Sequence, residues 1–390
     1  MAKSLLSSAR VRALSIICGV ALFAAGCGGQ DTRPLTTMSP KGEQAKDIDS
    51  LARLIFYVAG VVFVLVLAAL VLMIVKFRVK ADQEEGIDEP EQIHGNDKLE
   101  VISTIVPLVL LMGLAVFNVS VILNLENHDE KAMKVEVVGQ QWWWEYRYHL
   151  DGDWDSDPEI ITANQMVIPV DTDIELKIRS NDVIHSFWIP ALNGKKDAVP
   201  GRSHKLVFHA NEEGTFDGQC TEYCGLSHGY MQMEVKAIAA ADFATWTDAQ
   251  TEPAEEPAAG SLAAEGKAEF EARCAYCHQV NGLAEGSDGT PDPDYQGLGG
   301  DVPVALLSQN APNLTHLMSR ERFAGNMFDL KLDNGDLNVA ELESWLRAPD
   351  EMKPMNNTRP GEVGNRQGMP NLGLDQTTID KLVAYLQTLK

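Results

Sequence analysis

Two stretches of this chain, Leu54 to Val75 and Val101 to Leu125, carry no charged residue and are built almost wholly from apolar side chains. Crossing the hydrocarbon of a bilayer takes about 20 such residues. A core helix of a soluble domain rarely runs so far without polar residues, so each stretch predicts a membrane span, and the two together a helical hairpin over residues 50–130. Lys76, Arg78 and Lys80 follow the first span and place the connecting loop in the cytoplasm. The acids Asp82, Glu84 and Glu85 weigh little in that argument. Two spans return the chain to its starting side, so the large C-terminal portion is expected outside.

The N-terminus agrees with that placement. Lys3, Arg10 and Arg12 precede the apolar run Ala13 to Ala25, the pattern of a secretory signal over residues 1–27. Ala24-Ala25-Gly26-Cys27 resembles a bacterial lipoprotein signal, in which the cysteine is lipidated, although Ala24 stands where leucine is usual. An ordinary signal peptide and an uncleaved anchor are the alternatives. A net charge of −24 argues against nucleic acid as a partner and favours a basic protein or simple solubility. Of the six cysteines, Cys18 and Cys27 belong to the signal region, and the rest form two close pairs, Cys220/Cys224 and Cys274/Cys277, each with histidine nearby. None is left over for a disulfide scaffold.

After the second span the hydrophobic period becomes two: Val135 and Val137, then Trp142, Trp144 and Tyr146, then Ile174, Leu176 and Ile178. β-Branched and aromatic residues at that period predict half-buried strands. With further runs at Lys205 to His209 and Met231 to Ile238, they predict an all-β sandwich over residues 132–240. Residues 248–260 hold proline, acid and small side chains without an apolar face and predict a solvated linker. Over residues 261–390 the period is helical, with helices expected at Leu262 to Arg273, Val339 to Arg347 and Thr378 to Leu389, and a long loop from Asn281 to Asn310.

Two motifs carry chemistry. Cys274-Ala275-Tyr276-Cys277-His278 is a CxxCH run, in which two thiols can hold a haem covalently while the imidazole of His278 ligates its iron. A distal methionine would come from Met318, Met327, Met352, Met355 or Met369. Met369, in Gly368-Met369-Pro370, is the preferred candidate and Met355 the runner-up. Upstream, His185 and the loop Cys220-Thr221-Glu222-Tyr223-Cys224 with His228 and Met231 combine thiolate, imidazole and thioether, a set suited to copper in electron transfer. A CxxxC disulfide and a zinc site are the alternatives for that loop.

The copper loop and the two spans resemble subunit II of the haem-copper cytochrome c oxidases, and the CxxCH region resembles the cytochrome c fused to that subunit in some members. The resemblance implies two transmembrane helices, an all-β cupredoxin-like sandwich and an all-α class I cytochrome c domain. It implies a binuclear copper centre, CuA, with Cys220 and Cys224 bridging, His185 and Met231 on one metal, and His228 and the backbone carbonyl of Glu222 on the other. Two coppers sharing one electron in a rigid, closed site would reorganise little. The Glu222 side chain would also reach a magnesium ion at the boundary with subunit I. Trp142, within Gln140-Gln141-Trp142-Trp143-Trp144-Glu145-Tyr146, matches the tryptophan through which electrons reach CuA and is expected exposed near the copper, whereas Trp144 suits a sandwich core.

His94-Gly95-Asn96-Asp97-Lys98-Leu99-Glu100 with Pro107 resembles the start of the family's second span, with Ser103 in place of a common tryptophan. Glu100 would lie at the mouth of a proton-uptake channel of the partner subunit, or merely complement the helix dipole. Ala311-Pro312-Asn313-Leu314-Thr315-His316 resembles the segment after haem attachment, and His316 is expected on the surface or beside the propionates.

The implied role is electron input to a bacterial terminal oxidase. Electrons would pass from haem c to CuA and on to haem a in subunit I, which also holds CuB. Subunit III would be a further partner, and a cytochrome bc complex or soluble cytochrome c the upstream donor. The expected location is the bacterial inner membrane, with both redox domains on the periplasmic side. Three rivals stay open at this point: a quinol oxidase subunit, which should lack both motifs; a free-standing tethered carrier or copper-storage module, which Glu222 and Glu100 speak against; and a nitric or nitrous oxide reductase component.

Overall fold

A computed structural model describes residues 34–78, 94–125, 131–275, 277–280, 311–355 and 368–390. The signal region with Cys18 and Cys27, the acids after Lys80, Tyr276 and the loop 281–310 lie outside the described residues. Two long helices come first, α1 (Glu43–Lys76) and α2 (Asp97–Leu125). At 1.5 Å per residue they are roughly 51 and 44 Å long, more than the hydrocarbon requires. Both are apolar enough to cross a membrane, and their Leu, Val, Ile and Phe side chains point outward over nearly the whole length. Apolar exteriors of this kind are stable only in lipid, which anchors the chain in a membrane. Asn96 caps α2 through its side-chain oxygen, 3.1 Å from the Leu99 amide.

The hairpin is stitched to the domain that follows it. Lys41 and Gly42 donate to the Ala191 carbonyl at 2.7 and 3.0 Å, and Ala45 donates to that of Leu192 at 3.1 Å. A Cβ at Gly42 would lie 2.6 Å from the Leu192 carbonyl oxygen, so a larger residue cannot make this approach.

Ten strands follow: β1 (Met133–Gln140), β2 (Trp143–His149), β3 (Ile160–Ala163), β4 (Gln165–Pro169), β5 (Asp173–Ser180), β6 (His185–Phe187), β7 (Lys196–Ala198), β8 (His204–His209), β9 (Gly214–Gln219) and β10 (Gln232–Ile238). One sheet has the order β3-β2-β1-β5-β8 and another β4-β10-β9, with β6 and β7 paired beside them. The period-two residues meet between the sheets: Val135, Val137, Trp144, Tyr146, Ile174, Leu176 and Ile178 from the first, Met166, Ile168, Met233 and Val235 from the second. In β5 every second residue is buried, as the alternation predicts. The result is a cupredoxin-like sandwich.

Helix α3 (Ala240–Thr251) leaves the sandwich. It runs into the stretch 248–260 that composition assigns to a linker, because Trp246 packs against Tyr148, with ring centroids 5.3 Å apart, and holds the turns before it in place. The remainder is helical, with α4 (Leu262–Arg273), a short hairpin of β11 (Arg322–Phe323) and β12 (Phe328–Asp329), α5 (Val339–Arg347), α6 (Pro349–Met352) and α7 (Gln376–Leu386). Ser261, Asn338 and Asp375 cap α4, α5 and α7 with their side chains. Helices α4 and α7 cross at Gly266, where a Cβ would collide with the Lys381 carbonyl, and Phe270 packs on Tyr385 at 5.3 Å.

Candidate functional site: two clusters across one domain boundary

The first cluster gathers side chains far apart in sequence. His185 opens β6, Cys220 directly follows β9, and Cys224, His228 and Met231 lie on the tight loop that leads into β10. The sulfurs of Cys220 and Cys224 are 3.8 Å apart. The Cys220 sulfur lies 3.9 Å from His185 Nδ1 and 3.3 Å from the Glu222 carbonyl oxygen. The Cys224 sulfur lies 3.6 Å from His228 Nδ1 and 3.8 Å from Met231 Sδ. All six expected donors therefore converge, and His185, Cys220 and Cys224 alone already form a buried group fit to hold a metal.

The electrostatics agree with a thiolate site. The neighbouring Cys224 thiol holds the Cys220 thiol below the usual thiol range, and contact with Cys220, with burial, pushes the Cys224 thiol up. A cation between the two sulfurs would hold both as thiolates. His185 is fully buried, and burial alone would lower its pKa. Asp182, whose Oδ1 is 2.8 Å from Nε2, and Cys220 together outweigh that and raise it. Asp182 thereby fixes the ring with Nδ1 turned to the sulfurs. Two thiols, two imidazoles, a thioether and a carbonyl make a donor set that fits two copper ions.

The second cluster is an apolar cavity lined by Cys274, Cys277, His278, Met355 and Met369. His278 Nδ1 is 2.8 Å from the Pro312 carbonyl oxygen, which leaves Nε2 free to ligate. Cys274 is buried, which raises its pKa to about 12. Arg320 is buried with no carboxylate partner among the described residues, and burial lowers its pKa to about 10. Its guanidinium donates to the Asn313 carbonyl, on the segment that follows Pro312. These residues fit a covalently held haem. Both Met369 and Met355 reach the cavity, and the Met369 amide lies 3.2 Å from Met355 Sδ. Met318, Met327 and Met352 are not among its lining residues.

Two expectations need correction. Trp142 is 2% exposed rather than open to solvent, because residues of the cytochrome domain cover it. It lines the haem cavity together with Gln141 and Trp143. Its indole Nε1 donates to the Cys224 carbonyl at 3.1 Å, so one ring touches both clusters. Of the two places expected for His316, the surface is ruled out: it is buried, with Nδ1 2.5 Å from the Lys390 carbonyl oxygen. Trp144 lies wholly in the sandwich core. Glu222 projects into solvent from the copper loop, and Glu100 sits exposed in the first turn of α2.

Asp182, Arg320 and Lys353 were not singled out from sequence. Asp182 had a signal, an acid three residues before a candidate ligand histidine. Lys353 had none. It is 4% exposed, and its Nζ donates to the Trp142 carbonyl at 2.8 Å and to that of Ala324 at 3.0 Å. Burial lowers its pKa to about 7.

Two apolar helices, a cupredoxin with a convergent sulfur and nitrogen cluster, and a cytochrome cavity define a membrane-anchored electron-transfer protein. Comparison with known proteins narrows the class. Family models for the cytochrome c oxidase subunit II transmembrane domain, the periplasmic domain of that subunit and cytochrome c match residues 37–121, 133–238 and 263–390. The chain is 31% identical over 377 residues to cytochrome c oxidase subunit 2 of Alkalihalophilus pseudofirmus, covering 95% of this chain and 94% of that one. To the subunit 2 of Bacillus sp. strain PS3 it is 32% identical, with 97% of each chain covered. A crystal structure of the periplasmic domain of subunit II from Bradyrhizobium japonicum is 30% identical over 32% of this chain and 96% of that one, with a TM-score of 0.29. The chain belongs to the cytochrome c oxidase subunit II family, in the form that carries a fused cytochrome c. It is part of an oxidase, and as a subunit II it associates with subunit I in a membrane complex.

Proposed function

We propose that this chain is the electron-input subunit of a bacterial terminal oxidase, receiving electrons at its cytochrome domain and delivering them through its copper domain to haem a in subunit I, where oxygen is reduced to water with proton translocation. The observation that carries this reading is that Trp142 lines the cavity of Cys274, Cys277 and His278 while its indole is bonded to Cys224. When bound, the haem and the copper pair supply reversible one-electron redox chemistry. The residues supply the rest. Cys274 and Cys277 tether, His278 and Met369 ligate, and the Pro312 carbonyl orients His278. Cys220, Cys224, His185, His228, Met231 and the Glu222 carbonyl hold copper, and Asp182 keeps His185 aimed. The burial of His185, Cys220, Cys224 and Met231 keeps water away from the copper cluster, which favours small reorganisation there.

The same reading places the sandwich and the cytochrome domain on the periplasmic side of the inner membrane, with the basic residues after α1 in the cytoplasm. Glu222, exposed beside the copper loop, is suited to reach a magnesium ion at the subunit I boundary, and Glu100 to serve proton uptake. Subunit III and an upstream cytochrome bc complex or soluble cytochrome c complete the set of partners. The intact complex, purified from membrane, tests the reading. The expected result is c-type and a-type haem bands with a mixed-valence two-copper EPR signal. One copper per chain, or no copurifying oxidase, would overturn it.

A further inference from the structure

Lys353 is the least expected residue of the domain boundary. A buried ammonium is costly unless it is paired or fully hydrogen-bonded, and among the described residues Lys353 has no carboxylate partner. It holds two carbonyls instead, one from each domain: Trp142 at 2.8 Å from the copper domain and Ala324 at 3.0 Å from the cytochrome domain. The next residue repeats the link, since the Ser227 hydroxyl donates to the Pro354 carbonyl. Met355, one further on, packs against the sandwich core while lining the haem cavity. Opposite them Gly325, with φ +80°, accepts from the Gln232 amide at 3.0 Å. A Cβ there would lie 2.5 Å from Lys353 Nζ, 2.9 Å from the Tyr230 carbonyl oxygen and 3.0 Å from that of Trp142.

Resting on the electron-input reading above, we propose that Lys353 is a positioning residue. It latches the haem-cavity loop Lys353–Met355 onto the backbone of Trp142 and so fixes the cytochrome domain in one docked orientation on the copper domain. The chain thereby occupies its own Trp142 face, and an external cytochrome reaches the cytochrome domain rather than Trp142. No bond is made or broken by Lys353. Its effect is exerted on the relative placement of two clusters already linked through Trp142 and Cys224.

The test uses the full chain in its oxidase with Lys353→Met, which keeps the length of the side chain and removes the donor. Expected are unchanged haem and copper spectra, faster hydrogen exchange at the Gln232 amide, and haem-to-copper electron transfer slowed about tenfold or more, since misplacement by an ångström or so is costly. Lys353→Gln, which keeps an N–H donor, should fall between. Unchanged exchange and transfer rate in Lys353→Met would overturn the latch while leaving the electron-input role standing. Absence of haem-to-copper transfer in the unaltered protein would instead overturn that role. If Lys353→Met fails to retain haem, Gly325→Ala strains the same contact from the opposite side. It must loosen the Gln232 amide for the proposal to survive.

Discussion

At the copper cluster a single acid decides how well an imidazole can serve as a ligand. Asp182 bonds His185 Nε2 at 2.8 Å, and Gly139 leaves room for the ring, since a Cβ there would stand 2.8 Å from His185 Cδ2. Removing a carboxylate behind a ligating histidine typically costs 10–100-fold in metal affinity. Asp182→Ala is therefore expected to weaken copper binding by about that factor, measured by competition titration with a copper chelator, with the fold retained by circular dichroism. An unchanged affinity would mean that packing alone orients the ring. The ligands themselves were legible in sequence because Cys220, Cys224, His228 and Met231 fall on one short loop. Asp182 left only a faint local signal, an acid three residues before His185, and its role becomes visible once β6 brings His185 to that loop. The burial of Trp142 was not legible, because it depends on a surface contributed more than a hundred residues later.

At the scale of elements, the sandwich is pinned on its outer face by Glu136 of β1. Burial raises the pKa of this carboxylate, but the hydrogen bond from Arg179 at 2.8 Å and the charges of Arg179, Arg147 and Lys177 outweigh it and leave it below the ordinary value. A depressed folded-state pKa stabilises fully above the unfolded value and is lost as pH falls through the folded one. Acid unfolding of the sandwich should thus steepen below the usual carboxylate range. Glu136→Gln should flatten that limb and lower stability at neutral pH, as followed by tryptophan fluorescence against pH. In the cytochrome domain Gly266→Ala should cost about 1–3 kcal/mol by forcing α4 off α7, read as a lower Tm of the haem absorbance. Helix α4 has the bounds expected from sequence, Leu262 to Arg273, because what starts it, the Ser261 cap, is local. Helix α3 was not legible, since Phe243 and Trp246 are its only large apolar residues and its placement comes from the Tyr148 contact.

For the whole molecule, the decisive property is that two redox domains share one boundary made of unlike parts. At its rim, Lys236 pairs with Glu321 at 3.1 Å, and Arg322 with Asp217 at 3.2 Å, all roughly one-third exposed or more. Exposed pairs contribute about 0–1 kcal/mol each and are screened by salt with a Debye length of about 8 Å at physiological ionic strength. At its centre, Glu234 is buried and bonded by Asn326 at 3.3 Å and by Gln165, and Lys353 holds its two carbonyls. Buried contacts of this kind are screened far less. Salt and mutation should therefore act separately. Raising the ionic strength to about 0.5 M should speed exchange of the Gln232 amide only modestly in the unaltered protein, because the centre persists when the rim is screened. In Lys353→Met the rim carries a larger share of the docking, so the same salt should produce a much larger rise in exchange. Full undocking of the unaltered protein at that salt would show that the rim, and not the buried centre, sets how the two domains meet.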